Sequence, residues 1–430
     1  MASTQSDHSE LNFMRISLLL LLVILLGSPS FSQSKKRVLF LGNSYTERNN
    51  LPQLISNIAL SMGDTLLFDA HYPGAHTLLR HATDANSLNK MGAGHLDYVV
   101  LQEQSQRPAL GHDEVSKFFR YGKILDSLVK VSNPCAETMF YMTWGRKNGD
   151  DEYCGVFPAL CTYEGMDSLL NRQYRNIADS LHAVLSPVGA TWNAVRKFFP
   201  DIELFHPDGS HPSEAGSYAA AVTFYCAIFR RNPLDIPYQF TIPSAVAQNI
   251  KMAVKKVVFD SLTKWGIGKQ DPNPSFSYQL LPNNELSFKN TSTHANRYFW
   301  NFGDGNTSVL ENPNHKYATN GTFNVTLNAS KCNVSKSFSR SVQFQVTSVD
   351  NLFQLTDEHP YPNPVEDILN IPFIRFDKIL ISNIFGVFFK PSLSYAQKQI
   401  ALDFSNFPSG IYFIWVYRDN KTGFWKITKN

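Results

Sequence analysis

The sequence predicts an α/β domain, a parallel sheet covered by helices on both faces, followed by two smaller strand-rich regions. Three observations predict it. Between Lys35 and Trp265 short apolar runs alternate with helical patterns, as in a parallel sheet buried between helices. Asp271-Pro272-Asn273-Pro274 then breaks the pattern as a linker. Beyond it the texture changes to short alternating strands, with a Gly303-Asp304-Gly305 turn signal. At 430 residues the chain also exceeds one ordinary domain.

The elements follow in order. Arg15 precedes an apolar run from Ile16 to Leu26, interrupted only by Ser17, too short to span a bilayer comfortably. Small residues at Ser30 and Ser32 offer a cleavage site near Gln33. Residues 1–32 therefore read as a signal peptide, with no stable transmembrane segment after its removal. The expected strands are Val38–Leu41, Thr65–Ala70, Tyr98–Gln102, Glu137–Thr143 and Ala190–Trp192. The expected helices are Pro52–Ser61, Glu114–Ser132, Met166–Leu185, Pro212–Arg230 and Ser244–Trp265.

Composition narrows the function classes. Hydrophobic residues make up 43% of the chain and support sizeable cores. Net charge is only +3, with no basic stretch interleaved with aromatics, which argues against nucleic acid as a partner. Export permits disulfides. Of the five cysteines, Cys154 and Cys161 bracket a short loop and form the best pair. Cys135 with Cys226 is the next expectation, leaving Cys332 over. No C-x-x-C spacing suggests a metal. His71, His76 and His81 recur every five residues, which does not place them on one helical face, so no metal site is expected there.

Two short motifs carry the chemistry. Gly42-Asn43-Ser44-Tyr45-Thr46 follows the first strand, and Asp208-Gly209-Ser210-His211-Pro212 precedes the helix from Pro212. A serine just past a parallel strand stands at the sheet's carboxyl edge, where open α/β folds bind ligands. Serine becomes a nucleophile when a histidine takes its proton and an acid fixes the imidazole. Together the motifs hold all three parts.

The pair resembles the first and last blocks of the SGNH (GDSL-like) hydrolases. The resemblance implies a three-layer α/β/α, flavodoxin-like fold and a triad of Ser44, Asp208 and His211, with no cofactor. Asn43 departs from the commonest family pattern, which has Asp there. The family's oxyanion donors map onto the Ser44 amide, the Gly74 amide in Tyr72-Pro73-Gly74-Ala75, and a third position after the third strand. There the family's Gly-x-Asn-Asp is replaced by Gln102-Glu103-Gln104-Ser105. Gln104 falls at the Asn position, and Gln102 is the alternative. Arg146, in Trp144-Gly145-Arg146 after the fourth strand, is a candidate for binding an anionic or hydroxyl-rich substrate, or else pairs with an acid.

Residues 275–347, with Trp300-Asn301-Phe302-Gly303-Asp304-Gly305 and Phe323-Asn324-Val325-Thr326-Leu327, resemble a PKD domain, an Ig-like β-sandwich. Residues 351–430, with Tyr361-Pro362-Asn363-Pro364-Val365 and Gly410-Ile411-Tyr412-Phe413, resemble a type IX secretion carboxy-terminal sorting domain. The expectation is an α/β hydrolase domain over 35–265 followed by two small all-β sandwich domains. The function these resemblances imply is that of a secreted or surface-anchored serine esterase, with the type IX machinery as an expected partner. The domain company suggests an acetylated glycan as substrate. A non-catalytic carbohydrate-binding or adhesion protein on the same scaffold is the alternative.

Overall fold

The computed structural model describes residues 33–281, 284–345, 359–372, 375–390, 392–396, 399–419 and 421–430. The signal-peptide expectation and the junction around 347–351 lie outside them. Among the described residues no helix is long and apolar enough to cross a membrane.

Five parallel strands, β1 (Lys35–Leu41), β2 (Thr65–His71), β3 (Tyr98–Leu101), β4 (Glu137–Tyr141) and β5 (Val184–Ser186), form one sheet in the order β2-β1-β3-β4-β5. This is the flavodoxin-like order, with its topological switch beside β1. Val38 to Leu41 and Tyr98 to Leu101 are buried on both faces, which explains why they read as continuous apolar runs.

The helices in chain order are α1 (Ser44–Glu47), α2 (Leu51–Ser61), α3 (Leu78–His81), α4 (Ala85–Gly92), α5 (His112–Ser132), α6 (Tyr163–Leu181), α7 (Val188–Phe198), α8 (Glu214–Phe229) and α9 (Ser244–Val257). Helices α2, α7, α8 and α9 pack together on one face, and α4, α5 and α6 on the other. Helix α8 is apolar all round and buried from Gly216 to Ile228. Such a helix belongs to the interior of a layer. It can sit that close because Gly216 has no side chain. A Cβ there would meet the Leu204 carbonyl oxygen at 2.2 Å.

One expected strand is corrected. Ala190–Trp192 lies inside α7, and the fifth strand is the three-residue Val184–Ser186. Helix α6 accordingly ends at Leu181, where His182 turns left-handed at φ 52°.

Beyond the linker, two antiparallel sheets pack face to face. One joins Asn314–His315, Leu286–Asn290 and Phe276–Leu280; the other joins Val334–Phe344, Gly321–Lys331, Arg297–Asn301 and Thr307–Ser308. Their core centres on Phe288, Trp300, Phe302, Val325 and Leu327. A second pair of antiparallel sheets follows from Ile368 to Lys429, around Leu369, Ile381, Leu402 and Ile414.

The disulfides correct a second expectation. Cys154 pairs with Cys161 as the short loop suggests, but Cys135 pairs with Cys332, leaving Cys226 buried as a free thiol. Cys226 lies inside α8 and is fully buried. Cys135 lies at the amino edge of the sheet, just before β4, and meets the hairpin tip between Lys331 and Val334. Lys336 also reaches Asp271 at 3.2 Å, beside the Arg230–Asp271 pair at 2.6 Å. The first sandwich is thus fastened to the edge of the sheet opposite Ser44.

Candidate active site

The site begins with a turn that the sequence makes tight. β1 ends at Leu41, and Gly42 follows with no room for a side chain. A Cβ there would lie 2.2 Å from Thr46 Oγ1 and 2.8 Å from Gln102 Oε1. Asn43 caps α1: its Oδ1 accepts the Tyr45 amide at 3.2 Å. Its Nδ2 donates to the His76 carbonyl at 3.0 Å. The second bond explains the Asn in place of Asp, because a carboxylate has no proton to give a carbonyl. Ser44 is the first helical residue, so its N–H precedes the intrahelical ladder.

The second motif folds as a turn closed by the His206 amide donating to the His211 carbonyl at 2.8 Å. Gly209 takes φ +69° there, which glycine adopts freely. Asp208 Oδ1 accepts the amides of Ser210 at 2.8 Å and His211 at 2.9 Å. Its Oδ2 meets the Nδ1 atoms of His211 at 2.9 Å and His206 at 3.1 Å. Partial burial opposes ionisation of Asp208, but the two amides and two imidazoles outweigh it and hold the carboxyl well below the usual range. An ionised carboxylate only accepts, so His211 Nδ1 carries a proton. The lone pair of Nε2 then faces Ser44 Oγ, 2.9 Å away. Ser213 caps α8 immediately afterwards, accepting the Gly216 amide at 3.1 Å.

Sequence reasoning missed the aromatic wall behind this line. Tyr45 stacks on Trp144 with ring centroids 4.7 Å apart, and Trp144 stacks on Trp192 at 3.8 Å. The Tyr45 ring also stands edge-on to His211 at 5.4 Å, and its hydroxyl meets Ser210 Oγ at 2.7 Å. Trp144 Nε1 donates to the Ser210 carbonyl at 3.1 Å. An aromatic next to the serine and a Trp-Gly after the fourth strand were the available signals.

The other expected residues fall in different places. Gln102 is fully buried. Its Oε1 accepts the Asn43 amide at 3.1 Å and Thr46 Oγ1 at 2.7 Å, and its Nε2 donates to Asn43 Oδ1 at 2.6 Å. It builds the nucleophile turn and does not face the cleft, which corrects its candidacy for contacting substrate. Glu103 is buried too, accepting the amides of Gln104 at 2.7 Å and Leu78 at 3.2 Å. Burial pushes its carboxyl up to about 7 against the pull of those amides. Gln104 lines a cleft of ≈ 880 Å³ with Ala75, Gln106, Arg107, Tyr153 and Phe157. Its Nε2 is turned to Gln106 Oε1 at 3.0 Å and Ser105 Oγ at 3.2 Å. Gly74 is exposed, and a Cβ on it would meet nothing within 4 Å. Arg146 donates to Asp150 at 3.1 Å and Gln106 at 3.0 Å. Its two terminal nitrogens are committed to the wall of the site, the acid-paired alternative of the sequence reading.

Comparisons with known proteins bear on the parts unequally. Residues 279–346 match the PKD domain family, and residues 359–430 match the secretion system C-terminal sorting domain family. The latter marks the chain for type IX export to the cell surface or beyond. Among curated proteins, the collagenase ColA of Bacillus cereus is 38% identical over 60 residues, 13% of this chain. The chain spans only 6% of that protein's length. Two solved structures are similar to the α/β part. A DUF4886 family protein from Bacteroides uniformis is 18% identical, with a TM-score of 0.45, over 53% of this chain and 95% of that one. A candidate SGNH hydrolase from Slackia heliotrinireducens is 26% identical, with a TM-score of 0.38, over 44% of this chain and 97% of that one.

Proposed function

We propose that this chain is an exported serine ester hydrolase that works through an acyl-enzyme. The observation that supports the reading best is the continuous line from Ser44 Oγ to His211 Nε2 and from His211 Nδ1 to Asp208, each link 2.9 Å. Ser44 Oγ attacks the acyl carbonyl while His211 Nε2 takes its proton. The carbonyl oxygen becomes an oxyanion that accepts from the amides of Ser44 and Gly74. Gln104 supplies the third donor once its amide turns from Gln106. The intermediate collapses, and the alcohol leaves with the proton from His211. Water, deprotonated by the same imidazole, then releases the acid and restores Ser44. Asp208 stays ionised throughout and stabilises the imidazolium. No step needs a cofactor.

The substrate we infer is an acetylated polysaccharide. The cleft beside Gln104, whose lining reaches Ala75 and Gln104 but not Ser44 or His211, mixes amides, charges and two aromatic rings, which suits a hydroxylated alcohol half extending away from the serine better than a long acyl chain. The neighbouring PKD domain is consistent with a surface polysaccharide target. Acetate release from acetylated xylan, beside p-nitrophenyl esters of increasing chain length, tests this reading. Turnover should favour acetyl esters and vanish in Ser44→Ala. A folded wild type that turns over none of them, yet binds the glycan, would instead identify a carbohydrate-binding protein on this scaffold.

A further inference from the structure

The loop that supports the nucleophile turn carries a second cluster of chemistry. His71 ends β2, His76 lies in the following loop, and Asp84 caps α4. One ligand atom from each residue falls within 4.8 Å of the other two. His71 Nε2 and His76 Nδ1 are both buried without a hydrogen-bond partner. His71 Nε2 nevertheless lies only 3.1 Å from Asp84 Oδ1. A ring nitrogen and a carboxylate oxygen at contact distance, yet out of hydrogen-bond alignment, are arranged as two ligands of one ion would be. Around a tetrahedral ion with bonds of about 2.0–2.1 Å, neighbouring ligand atoms stand about 3.4 Å apart. His71 and Asp84, at 3.1 Å, stand close to that spacing, and the His76 ligand atom lies within 4.8 Å of both.

The third histidine is not a ligand. His81 is buried, with Nδ1 on Ser87 Oγ at 2.8 Å and Nε2 on the Gly42 carbonyl at 2.9 Å. Its ring packs 5.0 Å from that of His76 and walls the site. Asp84 is oriented by the Ser87 amide at 2.8 Å. The side chains of His71 and Asp84 remain 18% and 30% exposed, so a water can complete the coordination.

We propose that His71, His76 and Asp84 bind a divalent transition-metal ion, with Zn2+ the one their chemistry suits best. Two imidazoles and one carboxylate suit borderline ions and exclude the hard Ca2+ and Mg2+, which take all-oxygen sets. The ion sits where it braces the nucleophile turn. The His71 carbonyl accepts the Gly42 amide at 3.1 Å, the His76 carbonyl accepts Asn43 Nδ2 at 3.0 Å, and His81 holds the Gly42 carbonyl. Fixing the two imidazoles fixes the backbone from which Gly42 and Asn43 hang.

The test reads binding directly and does not depend on ester hydrolysis. The full, untagged chain is stripped with a chelator and titrated with ZnCl2 by calorimetry, beside Asp84→Asn, His76→Gln and Asp208→Asn. The expected result is one Zn2+ per chain, a thermal upshift on binding, and at least ~10-fold weaker binding in Asp84→Asn and His76→Gln. Asp84→Asn keeps a good helix cap, so it decides if His76→Gln fails to fold. Co2+ should give a visible ligand-field band in wild type that Asp84→Asn lacks. Three results would overturn the proposal. One is no binding at Zn2+ on the order of millimolar. Another is binding undiminished in Asp84→Asn. The third is binding lost only in Asp208→Asn, which assigns the ion to His206, Asp208 and His211.

Discussion

At the scale of single residues, Asn43 and Gln102 interlock and together hold Ser44 in place. Asn43 accepts from Tyr45 and Gln102 and donates to His76; Gln102 accepts from Asn43 and Thr46. Removing one partner strands the others in a dry site, at about 1–3 kcal/mol. Gln102→Leu should therefore lower the unfolding free energy, read from urea titration, by that amount, with activity falling as the turn loosens. Gln104→Ala should behave in the opposite way. Its side chain lies in the cleft, so stability should hold while kcat falls by ~10–10³-fold if it donates to the oxyanion. An unchanged kcat would remove Gln104 from the mechanism. Asp208→Asn should keep the fold and lose ~10⁴-fold in kcat, because His211 would then favour the wrong tautomer. The Ser44, Asp208 and His211 constellation was legible because each motif sits next to a strong boundary: an apolar strand before one, a proline and helix cap after the other. The roles of Gln102 and Gln104 were not legible. The two glutamines lie one and three residues beyond β3, and only the fold says which side chain turns inward.

At the scale of elements, close approach and burial set the sensitivities. Gly42→Ala would push a methyl into Thr46 and Gln102. Overpacking of this kind costs about 1–3 kcal/mol, and thermal unfolding together with ester turnover should both report it. Glu103 gives the segment after β3 a pH signature. Its folded value of about 7 lies above the ordinary glutamate value. The native state then holds the proton more tightly than the unfolded chain. The stability this provides is complete below about pH 4.3 and is lost as pH rises through about 7. Glu103→Gln should flatten the stability profile across that window, measured as urea midpoint against pH. An unaltered slope would place the titration elsewhere. The long strands and most helix ends were readable from sequence to within a few residues. The exception is the expected Ser244–Trp265 helix, which ends at Val257 and gives way to a separate 3-10 segment, Phe259–Trp265, kinked at Ser261. β5 was not readable, because Val184–Ser186 is three residues set between two helical patterns, too short for any period to show.

At the scale of the whole molecule, the chain places chemistry and attachment on opposite edges of one sheet. Ser44 follows the carboxyl end of β1, while Cys135 precedes β4 and bonds to Cys332, 197 residues on. That pairing was hidden in the sequence, because it depends on how one domain docks on another and not on local spacing. Chain-entropy reasoning gives such a bridge about 5 kcal/mol at most, less here because the linker already keeps the domains together. Cys332→Ser should lower the midpoint of thermal unfolding, yet leave kcat on a small ester within about twofold. A large loss of kcat would mean that the sandwich reaches the site.

The central claim is that Ser44 is a nucleophile activated by His211, and covalent labelling of the full chain by a fluorophosphonate tests it most directly. The account predicts one adduct per chain, mapped to Ser44 by mass spectrometry. The adduct should be absent in Ser44→Ala and strongly slowed in His211→Ala. A folded wild type that does not label, or an adduct on another serine that survives Ser44→Ala, would contradict it.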